Sequence, residues 1–180
     1  MRFYFATREQ DGDLSDYSSV DAMFTKVKPT FVIHLAAKVG GLFANMSDKV
    51  GFFEKNLAMN HNVIKCSHNH SVTRLVCVLS SCIYPDKITY PIDAAKLHEG
   101  PPHPSNEGYA YAKRMCYVQC QLYNEQYGTN FICVVPTNLY GPNDCYSPDS
   151  SHVVAALIRR ASELGEDQSL SVWGTGKPLR

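Results

Sequence analysis

Three short and almost entirely apolar segments are spaced along this chain, separated by longer stretches of mixed character. They read FVIHLA (31–36), RLVCVL (74–79) and FICVVP (131–136). Short apolar runs rich in Val and Ile are typical of strands buried within a parallel sheet. Because helical patterns lie between them, the alternation predicts an α/β fold: a Rossmann-like, doubly wound parallel sheet with helices on both faces.

Helical spacing and capping residues predict the remaining elements. Helices are expected at Ser18–Lys26 (N-cap Ser18 or Ser19), Asp48–Asn69, Glu107 or Gly108 to Tyr127, and Ser151–Leu164; further strands are expected at Arg2–Ala6 and Leu170–Val172. Gly128 and Gly165 follow two of these helices at the position where a left-handed C-cap is common. Ligands of such sheets collect at the carboxyl ends of the strands, so the residues that follow each buried run are the candidate site.

Charge and cysteine usage restrict the partners and the compartment. Seventeen basic and seventeen acidic residues cancel, so no basic face for nucleic acid or anionic membrane is indicated. Seven cysteines lie mostly in apolar runs, which favours buried thiols in a reducing compartment. No apolar run reaches membrane-spanning length, and the first residues lack the pattern of a signal peptide. A cytoplasmic protein without nucleic-acid or membrane partners is predicted.

A tyrosine, a lysine and a serine form the candidate catalytic group. Tyr109 and Lys113 stand four residues apart on one predicted helix and therefore share a face. The ammonium of Lys113 is expected to lower the pKa of Tyr109. Ser80 follows the second buried strand and would hold the same substrate oxygen. These groups suit proton transfer at a carbonyl or alcohol oxygen while a hydride moves at the attached carbon.

No metal site is predicted from the sequence. His68 and His70 form a possible pair of ligands, but no third ligand is placed near them. Cys116 and Cys120 share a helical face, and their apolar neighbours indicate packing instead.

Six segments, in this order along the chain, resemble those of the GDP-L-fucose synthase family among the extended short-chain dehydrogenase/reductases. They are AAKVGGL (36–42), SSCIYP (80–85), YAYAKR (109–114), PTNLYGP (136–142), SHV (151–153) and VWGTGKP (172–178). The resemblance covers essentially the whole chain. It implies NADP-dependent 3,5-epimerisation and 4-reduction of GDP-4-dehydro-6-deoxy-D-mannose to GDP-L-fucose.

The resemblance also implies catalytic roles. Cys82 and His152 would act as the acid–base pair for the acidic hydrogens at C3 and C5 of the sugar, since thiol and imidazole titrate within about two pH units of neutrality. Ser80 and Tyr109 would stabilise the charge on O4 of the enolate. Tyr109 would later return a proton to O4, and Lys113 would also hold the nicotinamide ribose.

Binding residues follow from the same resemblance. Those implied for NADP(H) are Arg8, Val78, Leu79, Ser80, Ser81, Lys113, Pro136, Thr137, Asn138, Leu139 and His152, with Arg8 placed for the 2′-phosphate. Those implied for the GDP-sugar are Arg160, Trp173 and Arg180. Relatives dimerise through the two long helices, so a homodimer is expected.

The chain departs from the family pattern at both ends. It contains no G-x-x-G-x-x-G, so the first strand and the Gly-rich loop that binds pyrophosphate are expected to be missing. Most of the C-terminal substrate domain is expected to be missing as well. Residues 1–180 would form a partial NAD(P)-binding domain, with about 137–180 contributing to the start of the substrate-binding region. An incomplete sequence that binds NADPH weakly by itself is the expectation.

Two alternative functions remain open at this point. A nucleotide-sugar 4-epimerase or 4,6-dehydratase would share the Ser, Tyr and Lys, but Cys82 and His152 disfavour both. A truncated, non-catalytic binding or dimerisation module is favoured by the missing loop. It is disfavoured by the presence of every proposed catalytic residue, which a scaffold does not need.

Overall fold

A computed structural model describes residues 2–148, 150–172 and 175. The chain divides into two compact units, Met1–Leu139 and Tyr140–Arg180, and each is described by itself. Within the described residues of the first unit, three parallel strands form one sheet in the order β1-β2-β3. They are β1 Phe31–His34, β2 Arg74–Val78 and β3 Phe131–Val134.

Helices alternate with these strands as predicted. In the first unit they are α1 Arg8–Asp11, α2 Tyr17–Val27, α3 Leu42–Ser47, α4 Lys49–Asn69 and α5 Glu107–Tyr127, and in the second unit α6 Val153–Ser162. Two 3-10 turns, Ser81–Ile83 and Ala94–His98, lie in the long connection between β2 and α5. The short helices α1 and α3 were not predicted, since four to six residues show too little periodicity.

Capping residues determine where the long helices begin and end. The carboxylate of Asp16 accepts hydrogen bonds from the backbone N–H groups of Ser18 and Ser19. Asp16 is therefore the N-cap of α2, and the expected cap at Ser18 or Ser19 is wrong, because the helix begins one residue earlier. Gly128 ends α5 with φ +65°, a left-handed conformation that favours glycine, as predicted.

The core lies on one face of the sheet, under α2, α4 and α5. Strand residues Leu75, Cys77 and Phe131 pack there against helix residues that include Phe24 and Ile64. On the opposite face, Phe31 and Ile33 of β1 expose 54% and 65% of their surface. The expectation that this strand is buried on both faces is wrong, because the core helices of the first unit pack on the other face.

Two predicted strands are absent from the part of the chain that the structure describes. Residues 2–6 are irregular, and their aromatic side chains are exposed, with Phe3 at 70% and Phe5 at 83%. Residues 170–172 are also irregular. An isolated apolar run becomes a strand only when a neighbouring strand completes its hydrogen bonds, and neither segment is paired with one of the described strands.

Candidate active site

The carboxyl end of β2 leads directly into a 3-10 turn that carries the first candidate residues. Ser80 caps this turn, and its Oγ atom accepts a hydrogen bond from the backbone N–H of Cys82 at 3.4 Å. Both side chains are half-buried. A serine cap that begins the turn therefore places a hydroxyl and a thiol side by side at the edge of the sheet.

Helix α5 brings Tyr109 and Lys113 to the same end of β2. Lys113 is 2% exposed, and its Nζ atom donates a hydrogen bond to the carbonyl oxygen of Val78 at 2.8 Å. The same Nζ lies 5.9 Å from the centre of the Tyr109 ring. The predicted Tyr–Lys pair thus lies on one helix face beside Ser80 and Cys82.

The pKa of Tyr109 is shifted in the direction opposite to that predicted. Burial, followed by the charge of Cys82, raises the pKa of Tyr109 to about 12. The expected lowering by Lys113 is wrong for this structure, because the ammonium is directed to the backbone carbonyl of Val78. Burial also lowers the pKa of Lys113. Tyr109 is therefore a neutral phenol at physiological pH, and its hydroxyl keeps a proton that it can donate.

Cys82 is likewise protonated at neutral pH. Burial raises the pKa of its thiol, and the hydrogen bond with Ser80 and the charge of Lys113 oppose this shift only in part. In this state the thiol is a proton donor. It becomes a base only after it has lost its proton.

A glycine on α5 allows the helix to approach α4 closely. A Cβ atom on Gly108 would lie 2.3 Å from the carbonyl oxygen of Lys49. The Nζ atom of Lys49 in turn binds Glu107 Oε1 at 2.8 Å. This contact fixes the first turn of α5, which carries Tyr109, and it was not predicted from the sequence. A glycine directly before a candidate catalytic tyrosine is the signal that would have suggested it.

Arg114 anchors the loop that follows Cys82. Its Nε atom donates to the carbonyl oxygen of Ile83 at 3.0 Å, and its Nη1 atom donates to that of Gly100, also at 3.0 Å. The side chain is 5% exposed. In the sequence, Arg114 is recognisable only as the last residue of the YAYAKR motif. Its two partners are backbone carbonyl groups, which every residue has, so no residue type in the sequence indicates this contact.

The loop after β1 is held by two buried asparagines of α4. Asn56 accepts from the Lys38 N–H at 2.8 Å and donates to the Lys38 carbonyl at 3.0 Å. One turn later, Asn60 Oδ1 lies 2.9 Å from Nε2 of His34, the last residue of β1. Both asparagines were missed, since a polar residue on a helix is normally read as exposed.

A cleft of about 380 Å³ opens at this end of β1. It is lined by Ala6, Thr7, Arg8, Asp11, Gly12, Asp13, Leu14, Ser15, Ala36, Ala37, Lys38, Lys55 and Met59. Arg8 lies at this cleft, and its Nη2 atom pairs with Asp13 at 2.8 Å. A larger cleft of about 610 Å³ is lined by residues at the amino ends of the strands, such as Thr30 and Thr73. Among the described residues that line it, none is a candidate for catalysis or for binding NADP(H) or the GDP-sugar.

The end of β3 lies beside the end of β2. The backbone N–H of Leu79 donates to the carbonyl of Val134 at 2.9 Å. Because the two strands are parallel, residues 78–81 and 136–139 emerge at the same edge of the sheet. Residues 137–139 are exposed.

The remaining candidates belong to the second unit or lie outside the described residues. His152 is the N-cap residue of α6, is exposed, and lies 3.9 Å from Asp144, measured from Nδ1 to Oδ1. Arg160 donates from Nη2 to the carbonyl of Ser171 at 2.6 Å. Trp173 and Arg180 lie outside the described residues. The structure therefore brings together Ser80, Cys82, Tyr109 and Lys113 within the first unit.

The sequence profile described as the NAD dependent epimerase/dehydratase family matches residues 4–180. This chain belongs to that family.

Curated relatives in this family are substantially similar to the chain. A GDP-L-fucose synthase from Dictyostelium discoideum is 53% identical over 174 residues, which cover 96% of this chain and 54% of the relative. A probable GDP-L-fucose synthase from Drosophila melanogaster is 44% identical, covering 98% of this chain and 58% of the relative. The chain spans about half the length of the curated relatives it matches.

A solved structure of the family has the same fold. The crystal structure of a GDP-L-fucose synthetase from Naegleria fowleri bound to NADP superposes with a TM-score of 0.88 at 44% identity. The match covers 98% of this chain and 58% of that one. The Rossmann-like parallel fold predicted from the sequence is thereby confirmed.

Among the residues that the structure describes, no helix has the length and apolar character needed to cross a bilayer. All seven cysteines are free thiols.

Proposed function

We propose that this chain carries the catalytic centre of an NADP-dependent epimerase-reductase that converts GDP-4-dehydro-6-deoxy-D-mannose to GDP-L-fucose. The observation that supports it most is the convergence of Ser80, Cys82, Tyr109 and Lys113 at the end of β2. Similarity to proteins named GDP-L-fucose synthase supports the substrate, a GDP-sugar with a ketone at C4.

The first half of the reaction is proton transfer next to the ketone. Hydrogens at C3 and C5 are acidic because the resulting enolate places its charge on O4. Tyr109, a neutral phenol, and Ser80 donate hydrogen bonds to that oxygen. Cys82, once its thiol has lost its proton, is proposed as the base at one face of the sugar, and His152 as the acid that returns a proton at the other face.

The second half is reduction at C4. Bound NADPH supplies the hydride, and Tyr109 gives its proton to O4. Lys113, whose buried ammonium lies 5.9 Å from the centre of the Tyr109 ring, would bind the nicotinamide ribose. The chain's own residues fit such a cofactor: the cleft at the end of β1 carries the cation of Arg8 beside the small side chains of Ala36 and Ala37.

The remaining contacts are proposed from the family resemblance. Residues 78–81 and 136–139 would line the cofactor, and Arg8 would bind its 2′-phosphate. The second unit would contribute Arg160, Trp173 and Arg180 to the GDP-sugar. A homodimer through α4 and α5 and a cytoplasmic location complete the proposal; the free thiols agree with a reducing compartment.

Proton exchange at the substrate tests the role of Cys82 apart from hydride transfer. The full chain is incubated in D₂O with the 4-dehydro sugar and no NADPH, and deuterium at C3 and C5 is read by NMR. Cys82→Ser should lower the exchange by about 100-fold or more, since a hydroxyl is a far weaker acid than a thiol. Cys66→Ala removes a buried thiol of α4 that has no proposed role, and it should leave exchange intact.

Undiminished exchange in Cys82→Ser, or no exchange in the wild-type chain under conditions where it is folded, would overturn the proposal. Exchange confined to C5 and independent of Cys82 would instead favour a 4,6-dehydratase, whereas a 4-epimerase would exchange neither hydrogen. A folded chain that binds the GDP-sugar without any exchange would favour the binding module.

A further inference from the structure

Four cysteines gather between α5 and the sheet, next to Lys113 of the site described above. Cys77 of β2 and Cys133 of β3 are register partners on adjacent strands. Cys116 and Cys120 are four residues apart on α5, so they share the face that packs on those strands. Cys77, Cys116 and Cys120 are at most 2% exposed. We call these four residues the thiol cluster.

The spacing of the sulfur atoms matches a metal coordination shell. The Sγ atoms of Cys77, Cys116 and Cys120 all lie within 4.8 Å of one another. The pair from Cys120 and Cys77 is 3.8 Å apart. Zn–S bonds of about 2.3 Å place sulfurs about 3.8 Å apart in a tetrahedral site and about 4.0 Å apart in a trigonal one. The sulfurs therefore need to close by at most about 1 Å around an ion.

The surroundings favour a soft cation bound by thiolates. Two titratable side chains flank the cluster: Lys113, one turn before Cys116 on α5, and His34, which faces Cys77 in the register of β1 and β2. The charge of the buried Lys113 ammonium is opposite to that of thiolates, and Cys77 and Cys116 both interact with it. Thiolate sulfur selects ions such as Zn²⁺ and Cd²⁺, whereas Mg²⁺ and Ca²⁺ require oxygen ligands.

We propose that Cys77, Cys116 and Cys120, with Cys133 as the fourth ligand, bind one Zn²⁺-class ion. Each ligand releases its thiol proton to solvent as the metal–sulfur bond forms. The site goes beyond the proposed function, which uses only Cys82 among the cysteines. A bound ion would tie α5, which carries Tyr109 and Lys113, to both β2 and β3.

Cadmium titration tests the site directly, because Cd²⁺ replaces Zn²⁺ and its thiolate complexes absorb in the near ultraviolet. The full chain, reduced and stripped of metal with a chelator, is titrated with Cd²⁺. We expect the charge-transfer band to saturate at one ion per chain, to decrease when Zn²⁺ is added, and to be unaffected by excess Mg²⁺ or Ca²⁺.

Substitutions locate the ion. Cys116→Ala with Cys120→Ala should abolish the saturable band, and either single substitution should weaken Cd²⁺ binding by at least about tenfold. Two matched controls should bind as the wild type does: Cys66→Ala, a buried thiol of α4, and Cys145→Ala, an exposed thiol. Circular dichroism verifies that each variant is folded.

Thermal unfolding provides a second measurement. Metal bound only to the native state raises the midpoint with increasing concentration, and the rise should be absent in Cys116→Ala. The proposal fails if folded wild-type chain shows no band at stoichiometric Cd²⁺, if the band persists in the double variant, or if Cys66→Ala removes it. In those cases the cluster is simply a set of small packing residues.

Discussion

The Nζ atom of Lys113 lies 2.8 Å from the carbonyl oxygen of Val78, and this hydrogen bond joins α5 to the end of β2. This hydrogen bond holds a buried cation beside Tyr109, and its acceptor is an uncharged backbone carbonyl and not a carboxylate. Among the described hydrogen bonds and ion pairs, none links this ammonium to an acidic side chain. The positive charge therefore remains available to a substrate or cofactor oxygen.

Removing this cation should impair hydride transfer while leaving the fold intact. Lys113→Met keeps most of the aliphatic chain but loses the charge, so we expect the rate of NADPH oxidation to fall by about 100-fold or more. Lys65→Met, an exposed lysine on α4, is the control and should retain full rate. A Lys113→Met variant that is folded and fully active would show that the charge is not used.

The raised pKa of Tyr109 predicts a stability change at high pH. Its folded pKa of about 12 lies above the reference value of 10.0, so the protonated phenol stabilises the native state. This contribution is fully present below about pH 10 and is lost as pH rises toward 12. The free energy of unfolding, measured by denaturant titration across this range, should fall less steeply in Tyr109→Phe than in the wild type. Equal slopes would contradict the shift.

Gly108 should tolerate no side chain. A Cβ atom 2.3 Å from the Lys49 carbonyl forces α4 and α5 apart, so Gly108→Ala should lower the free energy of unfolding by about 1–3 kcal/mol. At Gly141 a Cβ atom would meet nothing within 4 Å, so Gly141→Ala should change stability by less than about 0.5 kcal/mol. Chemical denaturation of both variants measures the difference, and equal stabilities would show that the helices readjust freely.

Arg114 should be required to order the loop that follows Cys82. Lysine carries a single nitrogen at its tip, so it does not reproduce the separate Nε–H and Nη1–H donors of Arg114 that bind the carbonyl oxygens of Ile83 and Gly100. In Arg114→Lys, amide exchange of residues 84–100 should accelerate by at least about tenfold, because each buried carbonyl left unpaired costs about 1–3 kcal/mol. Arg159 lies on α6 and its guanidinium pairs with Glu163, the C-cap residue of that helix, so Arg159→Lys should leave exchange of this loop unchanged. Unaltered exchange in Arg114→Lys would assign the loop's order to other contacts.

The alternation of strands and helices follows from the sequence alone, because each of β1, β2 and β3 is an apolar run, α4 and α5 show helical spacing, and Gly128 marks the end of α5. Residue types and helical spacing predicted that Ser80, Tyr109 and Lys113 share one candidate site, and the family resemblance added Cys82 to it. These features depend on local pattern and on a topological rule.

Packing determines which apolar runs form strands: residues 2–6 pair with none of the strands in the described part of the chain, so their hydrogen bonds are not completed by a sheet. It also reversed the pKa shift of Tyr109, because burial and the direction of the Lys113 ammonium are set by packing. The contact between Gly108 and Lys49 and the contacts within the thiol cluster join residues that are distant in sequence. The guanidinium of Arg114 binds the backbone carbonyl oxygens of Ile83 and Gly100. No local pattern encodes such contacts, and only the folded chain brings their partners together.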